Sequence, residues 1–455
     1  MADFELAIIG SGSGNSLITP DFAGKPVAIV ESGSFGGTCL NVGCIPTKMY
    51  VYAADVANTI RHSARFGVDS RFEGARWADI RDRVFGRIDP ISAGGLAYRT
   101  NGENTTTFLG RGQFTGPKTI KVETGEEFSA DQIVIAAGGR PMIPDVVAQS
   151  GVTYYTSDTI MRIDKLPERL LTLGAGYIGA EFAHVFSALG SQVTVVSRGM
   201  RLLRHLDSEI ADRFTVVASG QWDLKLSAQL SKVTGDADEI RLDFLDGTSL
   251  VGDALLVATG RVSNADTLDL PAAGIATTID GRVQVDCHGR TNVEGVWALG
   301  DVSSDYQLKH VANHEARVVA HNLTHPEDLR KFDHRFVPAA VFTQPQIASV
   351  GLTEEAARAR DLRYVVATQD FGDTAYGWAT EDQTGICKLI ADPDTGLLLG
   401  AHLMGYQASN LIQPLVQAMS FGQRVQDVAR GQYWIHPALM EVVENALLKL
   451  GLNES

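Results

Sequence analysis

Short apolar runs alternate with glycine-rich turns from the start of the chain. Leu6-Ala7-Ile8-Ile9 leads into Gly10-Ser11-Gly12-Ser13-Gly14-Asn15, and a second run, Val27-Ala28-Ile29-Val30, ends in Glu31. Unbroken apolar runs of this length between turn residues predict strands buried on both faces, as in a parallel sheet. Strand, glycine turn, strand, acid is the order of a βαβ unit that cradles a dinucleotide. The glycines admit a pyrophosphate close to the backbone, and the acid accepts from ribose hydroxyls. Asn15 stands where a third glycine or alanine is usual. Thr19-Pro20 and Gly24 predict a short or broken crossover helix. Helical patterning follows at 47–65 and 77–100, then short strands and turns over 101–130. A buried strand at 131–141 closes in Ala136-Ala137-Gly138-Gly139.

The pattern then repeats. Leu170-Leu171-Thr172-Leu173 precedes Gly174-Ala175-Gly176-Tyr177-Ile178-Gly179, a helix carrying Glu181 runs to about Leu189, and Val193-Thr194-Val195-Val196 follows. This second unit has the complete G-x-G-x-x-G spacing, and two such units predict two dinucleotide sites. Its second strand ends in Ser197-Arg198 rather than an acid, with Arg201 and Arg204 beyond. An acid would repel a ribose 2′-phosphate, whereas a guanidinium fork binds one. The unit closes at Leu255-Leu256-Val257-Ala258-Thr259-Gly260-Arg261. Val296-Trp297-Ala298 then delivers Gly300-Asp301 into a turn. From about residue 334 the texture changes to strands and turns as far as 405, then helices at 408–430 and 437–450, which predicts an α+β domain.

A length of 455 residues predicts two to four domains. The net charge of −15 argues against a nucleic-acid or anionic-membrane partner. The N-terminus lacks a basic segment followed by a long apolar one, and no run is long enough to span a bilayer, so a cytoplasmic protein is expected. Four cysteines in so long a chain make no disulfide scaffold. Two of them, Cys39 and Cys44, stand close together in Gly36-Gly37-Thr38-Cys39-Leu40-Asn41-Val42-Gly43-Cys44-Ile45-Pro46-Thr47-Lys48. A disulfide there would close a ring too small to add much stability, so the pair's value is chemical. The rival is a metal or iron–sulfur half-site. The C-x4-C spacing suits one, but no C-x2-C follows, and no metal is expected. Cys287 and Cys387 read as packing or surface thiols. His436-Pro437-Ala438-Leu439-Met440-Glu441 places an acid where it can orient a histidine for proton transfer.

Taken together, the Gly37-Thr38-Cys39…Cys44…Pro46…Lys48 run, the two nucleotide units, Gly300-Asp301 and His436…Glu441 resemble the FAD-dependent pyridine-nucleotide disulfide reductases, in the same order and over essentially the whole chain. The resemblance implies an α/β fold with two Rossmann-like domains and a C-terminal α+β dimerisation domain. The expected divisions are 1–143 for FAD, 144–263 for NADPH, 264–333 completing the FAD site, and 334–455 for dimerisation. It implies FAD held by Gly10, Gly12, Ser13, Gly14, Glu31, Gly37, Thr38, Ala137, Gly138, Gly300 and Asp301. NADPH would be held by Gly174, Gly176, Tyr177, Ile178, Gly179, Arg198, Arg204, Gly260 and Arg261, with Tyr177 covering the nicotinamide pocket. Gly179 in place of alanine is linked to NADH in this family, but the arginines touch the discriminating phosphate and carry more weight. Lys48 and Glu181 would pair beside the flavin. Cys39 and Cys44 would form the redox disulfide, Cys44 on the flavin side and Cys39 facing substrate. His436, oriented by Glu441, would act from the partner subunit of an obligate homodimer.

The substrate implied is a low-molecular-weight disulfide. Gly12–Ser16, Phe85–Pro90, Leu308–His314 and Gln432–Pro437 are similar to the branch that reduces the disulfide of mycothiol. The first crossover offers no arginine for glutathione carboxylates, which favours a less charged, sugar-linked thiol. Glutathione disulfide reduction and dihydrolipoamide oxidation are the alternatives, and a non-enzymatic redox sensor is the reading from a different class. A sensor has no use for His436 and Glu441.

Overall fold

The computed structural model describes residues 2–236 and 239–452. Strands β1 (Phe4–Ile9) and β2 (Val27–Glu31) lie parallel, as their uninterrupted apolar character requires. Two 3-10 turns, Gly14–Leu17 and Pro20–Phe22, make the crossover between them, so the expected broken helix is what forms. Helix α1 (Gly37–Asn41) and helix α2 (Cys44–His62) follow, then α3 (Trp77–Thr100). Next come β3 (Thr105–Leu109), β4 (Gly112–Gly116), β5 (Thr119–Val122) and β6 (Glu127–Ile135). The sheet order is β3-β2-β1-β6-β5-β4. The long β6 bridges two regimes: its first half pairs antiparallel with β5, its second half parallel with β1.

After β7 (Gly139–Pro141) and α4 (Asp145–Ala148), the second unit is built from β8 (Arg169–Leu173), α5 (Tyr177–Leu189) and β9 (Gln192–Val196). Helix α6 (Ser208–Ser219) and β10 (Asp223–Lys225) extend it. An antiparallel ribbon of β11 (Leu230–Gly235), β12 (Ile240–Phe244) and β13 (Ser249–Gly252) leads to β14 (Ala254–Val257). The parallel sheet runs β10-β9-β8-β14. Strand β15 (Arg261–Ser263) returns to pair with β7, and β16 (Val296–Ala298) joins β6 of the first sheet. Helix α7 (Lys309–Thr324) packs beneath that sheet, with Val319 and Ala316 in one cluster with Leu6 and Ile8.

The C-terminal sheet contains β17 (Ala339–Val341), β18 (Gln346–Gly351), β19 (Val365–Asp370), β20 (Ile386–Ala391) and β21 (Leu398–Gly405), ordered β17-β18-β21-β20-β19. Two short helices, α8 (Glu354–Ala359) and α9 (Ala375–Thr380), interrupt the stretch expected to be strands and turns. The helix expected over 408–430 is three pieces: α10 (Ala408–Leu411), α11 (Gln413–Phe421) and α12 (Val425–Arg430). Pro414 lacks the N–H an uninterrupted helix needs, and Gly422 ends α11 in the left-handed region. The last helix, α13 (Glu441–Lys449), begins four residues later than expected, after a turn at Ala438–Met440.

Helix α2 is the spine between the units. Tyr50, Trp77 and Phe186 form a buried aromatic run, with ring centroids 5.1 and 5.3 Å apart, that ties α2 to α3 and α5. Tyr50 Oη donates to Met161 O at 2.6 Å inside this core.

Candidate active site

The cysteine loop is two helices meeting end to end. α1 carries Cys39, α2 begins at Cys44, and Val42-Gly43 is the joint. A Cβ on Gly43 would lie 2.9 Å from Thr38 O and 3.3 Å from Cys39 Cα, so only glycine lets α2 start this close to α1. Gly37, at φ +70°, seats α1 on the first nucleotide turn: a Cβ there would stand 2.6 Å from Gly12 Cα.

Both cysteines are free thiols. The Cys39 thiol donates to the Cys44 sulfur. That bond, opposed by burial and helped by the Lys48 ammonium, lowers Cys44 to about 7. The same bond, with burial, pushes Cys39 far above the usual thiol range. Of the two sulfurs, Cys44 is thus the one favoured to lose its proton. Its place at the first residue of a 19-residue helix adds the positive end of the helix dipole. Cys44 is exposed and opens on a cavity of about 500 Å³ lined by Ile45, Lys48, Met49, Tyr52 and Arg83, while Cys39 is half-buried.

Lys48 lies one turn along α2 and pairs with buried Glu181 of α5 at 2.6 Å. Glu181 also accepts the Phe342 N–H at 3.0 Å, and Lys48 Nζ sits 4.3 Å from the Phe342 ring centre. The chain end of β17 therefore enters the site, which nothing in the sequence around Phe342 signals. Tyr177, first residue of α5, is half-buried within the fields of Arg261, Asp301, Glu181 and Cys44, and burial raises its hydroxyl above the usual range.

The first nucleotide turn has the chemistry an adenosine and pyrophosphate need. Glu31 lines a cavity of about 520 Å³ together with Gly33, Phe35, Leu109 and Gly110. Its carboxylate accepts from Ser11 N (2.9 Å), Ser11 Oγ (2.6 Å) and Gly33 N (2.8 Å). Fully buried Ser11 also accepts from Gly36 N at 2.8 Å, so one hydroxyl links the turn, the acid and the cysteine loop. Sequence reading missed it, because that position of the motif is nominally free. The close strand contact expected of a third glycine falls on Gly14, whose Cβ would be 2.8 Å from Ile8 Cγ2. Asn15 instead accepts from Arg99 at 2.7 Å.

At the other end of this cradle, Asp301 follows Gly300, whose N–H donates to buried Glu315 at 2.6 Å. Burial raises Asp301, opposed by Arg261 at 3.8 Å. A partly buried carboxyl with so distant a cation suits a hydroxyl donor such as a ribityl chain. Arg261 also donates to Gly139 O, and the carbonyls of Ala137 and Gly138 accept from Asn264. Lys309, within the Leu308–His314 stretch, donates to Ser13 Oγ at 2.8 Å and is a cation beside the turn to which the sequence assigns no role of its own. Thr38 accompanies Gly37 at the start of α1.

In the second unit Gly174, Gly176, Ile178 and Gly179 make the β8–α5 turn, and Gly260 follows β14 at its edge. A Cβ on Gly179 would strike Gly174 O at 2.2 Å, whichever nicotinamide nucleotide binds. Arg201 is taken up by Asp212 at 3.0 Å. Arg198 and Arg204 are exposed and form no ion pair among the described residues.

His436 Nδ1 and Glu441 Oε1 are 2.6 Å apart, with the ring largely exposed and the carboxylate half-buried. Among the described residues no hydrogen bond joins this pair to Cys39 or Cys44 within the chain, so one protomer does not assemble the expected relay. No group of metal-ligating residues occurs among the described residues, and no helix there is long and apolar enough to cross a membrane.

The family described as pyridine nucleotide-disulphide oxidoreductase matches residues 4–316, and its dimerisation domain matches 337–447. A relative from Mycobacterium tuberculosis named mycothione reductase is 58% identical, over 99% of this chain and 100% of the relative. Glutathione reductase of Burkholderia cepacia is 32% identical over 96% of this chain and 97% of its own. Among solved structures, the HOCl-induced flavoprotein disulfide reductase RclA from Escherichia coli superimposes with a TM-score of 0.87 at 28% identity, covering 98% of this chain and 99% of its own. With the paired thiols, the two nucleotide turns and these matches, the chain belongs to the pyridine nucleotide-disulphide oxidoreductases.

Proposed function

We propose that this protein is a homodimeric, NADPH-dependent reductase of mycothione, the disulfide of mycothiol. The observation that supports it most is the placement of Cys39 on α1 and Cys44 at the head of α2, in a chain that matches the mycobacterial mycothione reductase from end to end. FAD and NADPH are the cofactors of this family; when bound they supply the electron pair that returns the Cys39–Cys44 disulfide to two thiols. Glu31, Asp301 and the Gly10–Gly14 turn would hold FAD, and Arg198 and Arg204 would grip the 2′-phosphate of NADPH. The divisions at 143, 263 and 333 follow the same reading.

The chain's own residues then do the thiol chemistry. Cys39 gives its proton to the partner's His436, and its sulfur attacks one sulfur of the substrate. A mixed disulfide forms, and the first mycothiol leaves as a thiolate that His436 protonates. The Cys44 thiolate attacks Cys39 Sγ, restoring the intramolecular disulfide and releasing the second thiolate, which takes a proton from solvent. Glu441 holds the imidazole in the tautomer that can accept. Lys48 and Glu181 fix the charge beside Cys44.

The test compares turnover on mycothione, glutathione disulfide and lipoamide. Preference for mycothione is expected, and preference for glutathione disulfide would overturn the substrate assignment. Cys39→Ser is compared with Cys44→Ser. Cys39→Ser is expected to abolish disulfide turnover while NADPH still bleaches the flavin. Either variant leaves a single thiol, so the roles are told apart by which one traps a mixed disulfide with substrate: Cys44→Ser is expected to, and trapping by Cys39→Ser instead would mean that the two roles are reversed.

A further inference from the structure

Strand β20 reads Ile386-Cys387-Lys388-Leu389-Ile390-Ala391, with a lysine at the centre of an apolar run, and every residue of it is buried. Lys388 has 3% of its side chain exposed. A buried ammonium persists only where carboxylates surround it. Three do: Asp207 at 3.0 Å, Glu354 at 2.8 Å and Glu209 at 3.4 Å. Burial pulls the ammonium down, but the bonds to Glu354 and Asp207 win and hold it above its usual range. The other face of the strand carries the C-terminal core, with Cys387 and Leu389. Lys388 therefore points away from that core, toward the second nucleotide unit.

The carboxylates it meets are not incidental ones. Asp207, fully buried, caps α6 by accepting from Glu209 N at 3.2 Å and also accepts from Glu354 N at 3.0 Å. Ser208 donates to Glu355, and Arg213 of the same helix pairs with Asp370 of β19 at 2.9 Å. The N-terminal half of α6 is thus fastened to the C-terminal unit. The same helix is the platform for the loop between β9 and α6. Arg201 is held by Asp212 and Leu202 N donates to Thr215 Oγ1 at 3.0 Å, both from α6. Leu202 and Leu203 are buried, and Leu203 is held at φ 50°. Arg198 and Arg204 project from this loop, the Arg204 stem passing beside Gly199.

We propose that Lys388 is a positioning residue for NADPH: through Asp207 it fixes the start of α6 and so holds the Arg198–Arg204 loop in the geometry that prefers a 2′-phosphorylated donor. The inference rests on the reading that Arg198 and Arg204 bind that phosphate. It makes the C-terminal unit a determinant of donor choice as well as of dimerisation.

The holoenzyme and its Lys388→Met variant are titrated calorimetrically with 2′,5′-ADP and with 5′-AMP, and KM is measured for NADPH and NADH. The variant is expected to bind 2′,5′-ADP roughly 3- to 30-fold more weakly, the span for coupling carried through packed side chains. Affinity for 5′-AMP should stay within about twofold, as an effect confined to the phosphate requires. KM for NADPH should rise while kcat at saturation holds. Equal weakening of both nucleotides, or a lower melting temperature with the discrimination intact, would overturn the proposal. If Lys388→Met does not fold, Glu354→Gln carries the same test with a smaller shift in the same direction. The double variant Arg198→Ala, Arg204→Ala separates the two layers. If it leaves discrimination unchanged, the arginine reading fails and the inference with it. If it abolishes discrimination and Lys388→Met does not reduce it, the inference alone fails.

Discussion

Cys39→Ala removes the hydrogen-bond donor that does most to lower Cys44. With Cys39 present, the Cys44 thiolate is populated above about pH 7 and protonates below it. Without the donor, the thiolate should appear only at higher pH. Iodoacetamide alkylation of the reduced protein across pH, followed at Cys44, reads this out; an unmoved profile would mean the helix dipole and Lys48 suffice. Glu181→Gln tests the neighbouring pair. It leaves Lys48 facing a neutral amide, and since Lys48 is about one-third exposed, solvent softens the loss. A slower return of the oxidised pair to thiols by NADPH is expected, with the fold intact; an unchanged single-turnover rate would separate the pair from the chemistry.

Among the elements, the first nucleotide unit shows what sequence can and cannot reveal. The strands were legible because four-residue apolar runs between glycine turns leave few alternatives, α2 because its stretch is rich in alanine and valine, and Pro20 announced the broken crossover. Within the site, His436–Glu441 was legible as a pair from its five-residue spacing, and Lys48–Glu181 was expected only from the family resemblance. Ser11 and Phe342 were not: one occupies a free position of a motif, and the other arrives from 161 residues away in the chain. Nor was the fragmentation of 408–430 read, because its apolar spacing continues through Pro414 and Gly422. Ser11→Ala tests the hidden link. It deletes one bond to a carboxylate and leaves the partly buried Gly36 N–H without its acceptor, worth about 1–3 kcal/mol. FAD release in rising urea, followed by flavin fluorescence, should come earlier by that amount. Unchanged retention would make Ser11 a packing residue.

Over the whole molecule, no hydrogen bond among the described residues joins His436 to the thiols within one chain, so the proposed mechanism takes its histidine from the partner chain. His436→Gln should lower mycothione turnover by about 10²- to 10⁴-fold, the usual worth of a general acid–base. A heterodimer of His436→Gln with Cys39→Ser chains, purified through two different tags, should regain activity that neither parent has, because one of its two sites pairs an intact thiol pair with an intact histidine. No recovery would place the whole relay within one chain. Electrons from NADPH are expected to come to rest on Cys39 and Cys44. Anaerobic addition of one equivalent of NADPH to the oxidised holoenzyme, followed by alkylation and mass spectrometry, tests this most directly. Both cysteines should become alkylated, with Cys287 and Cys387 unchanged; a flavin that bleaches while Cys39 and Cys44 remain unmodified would contradict the account.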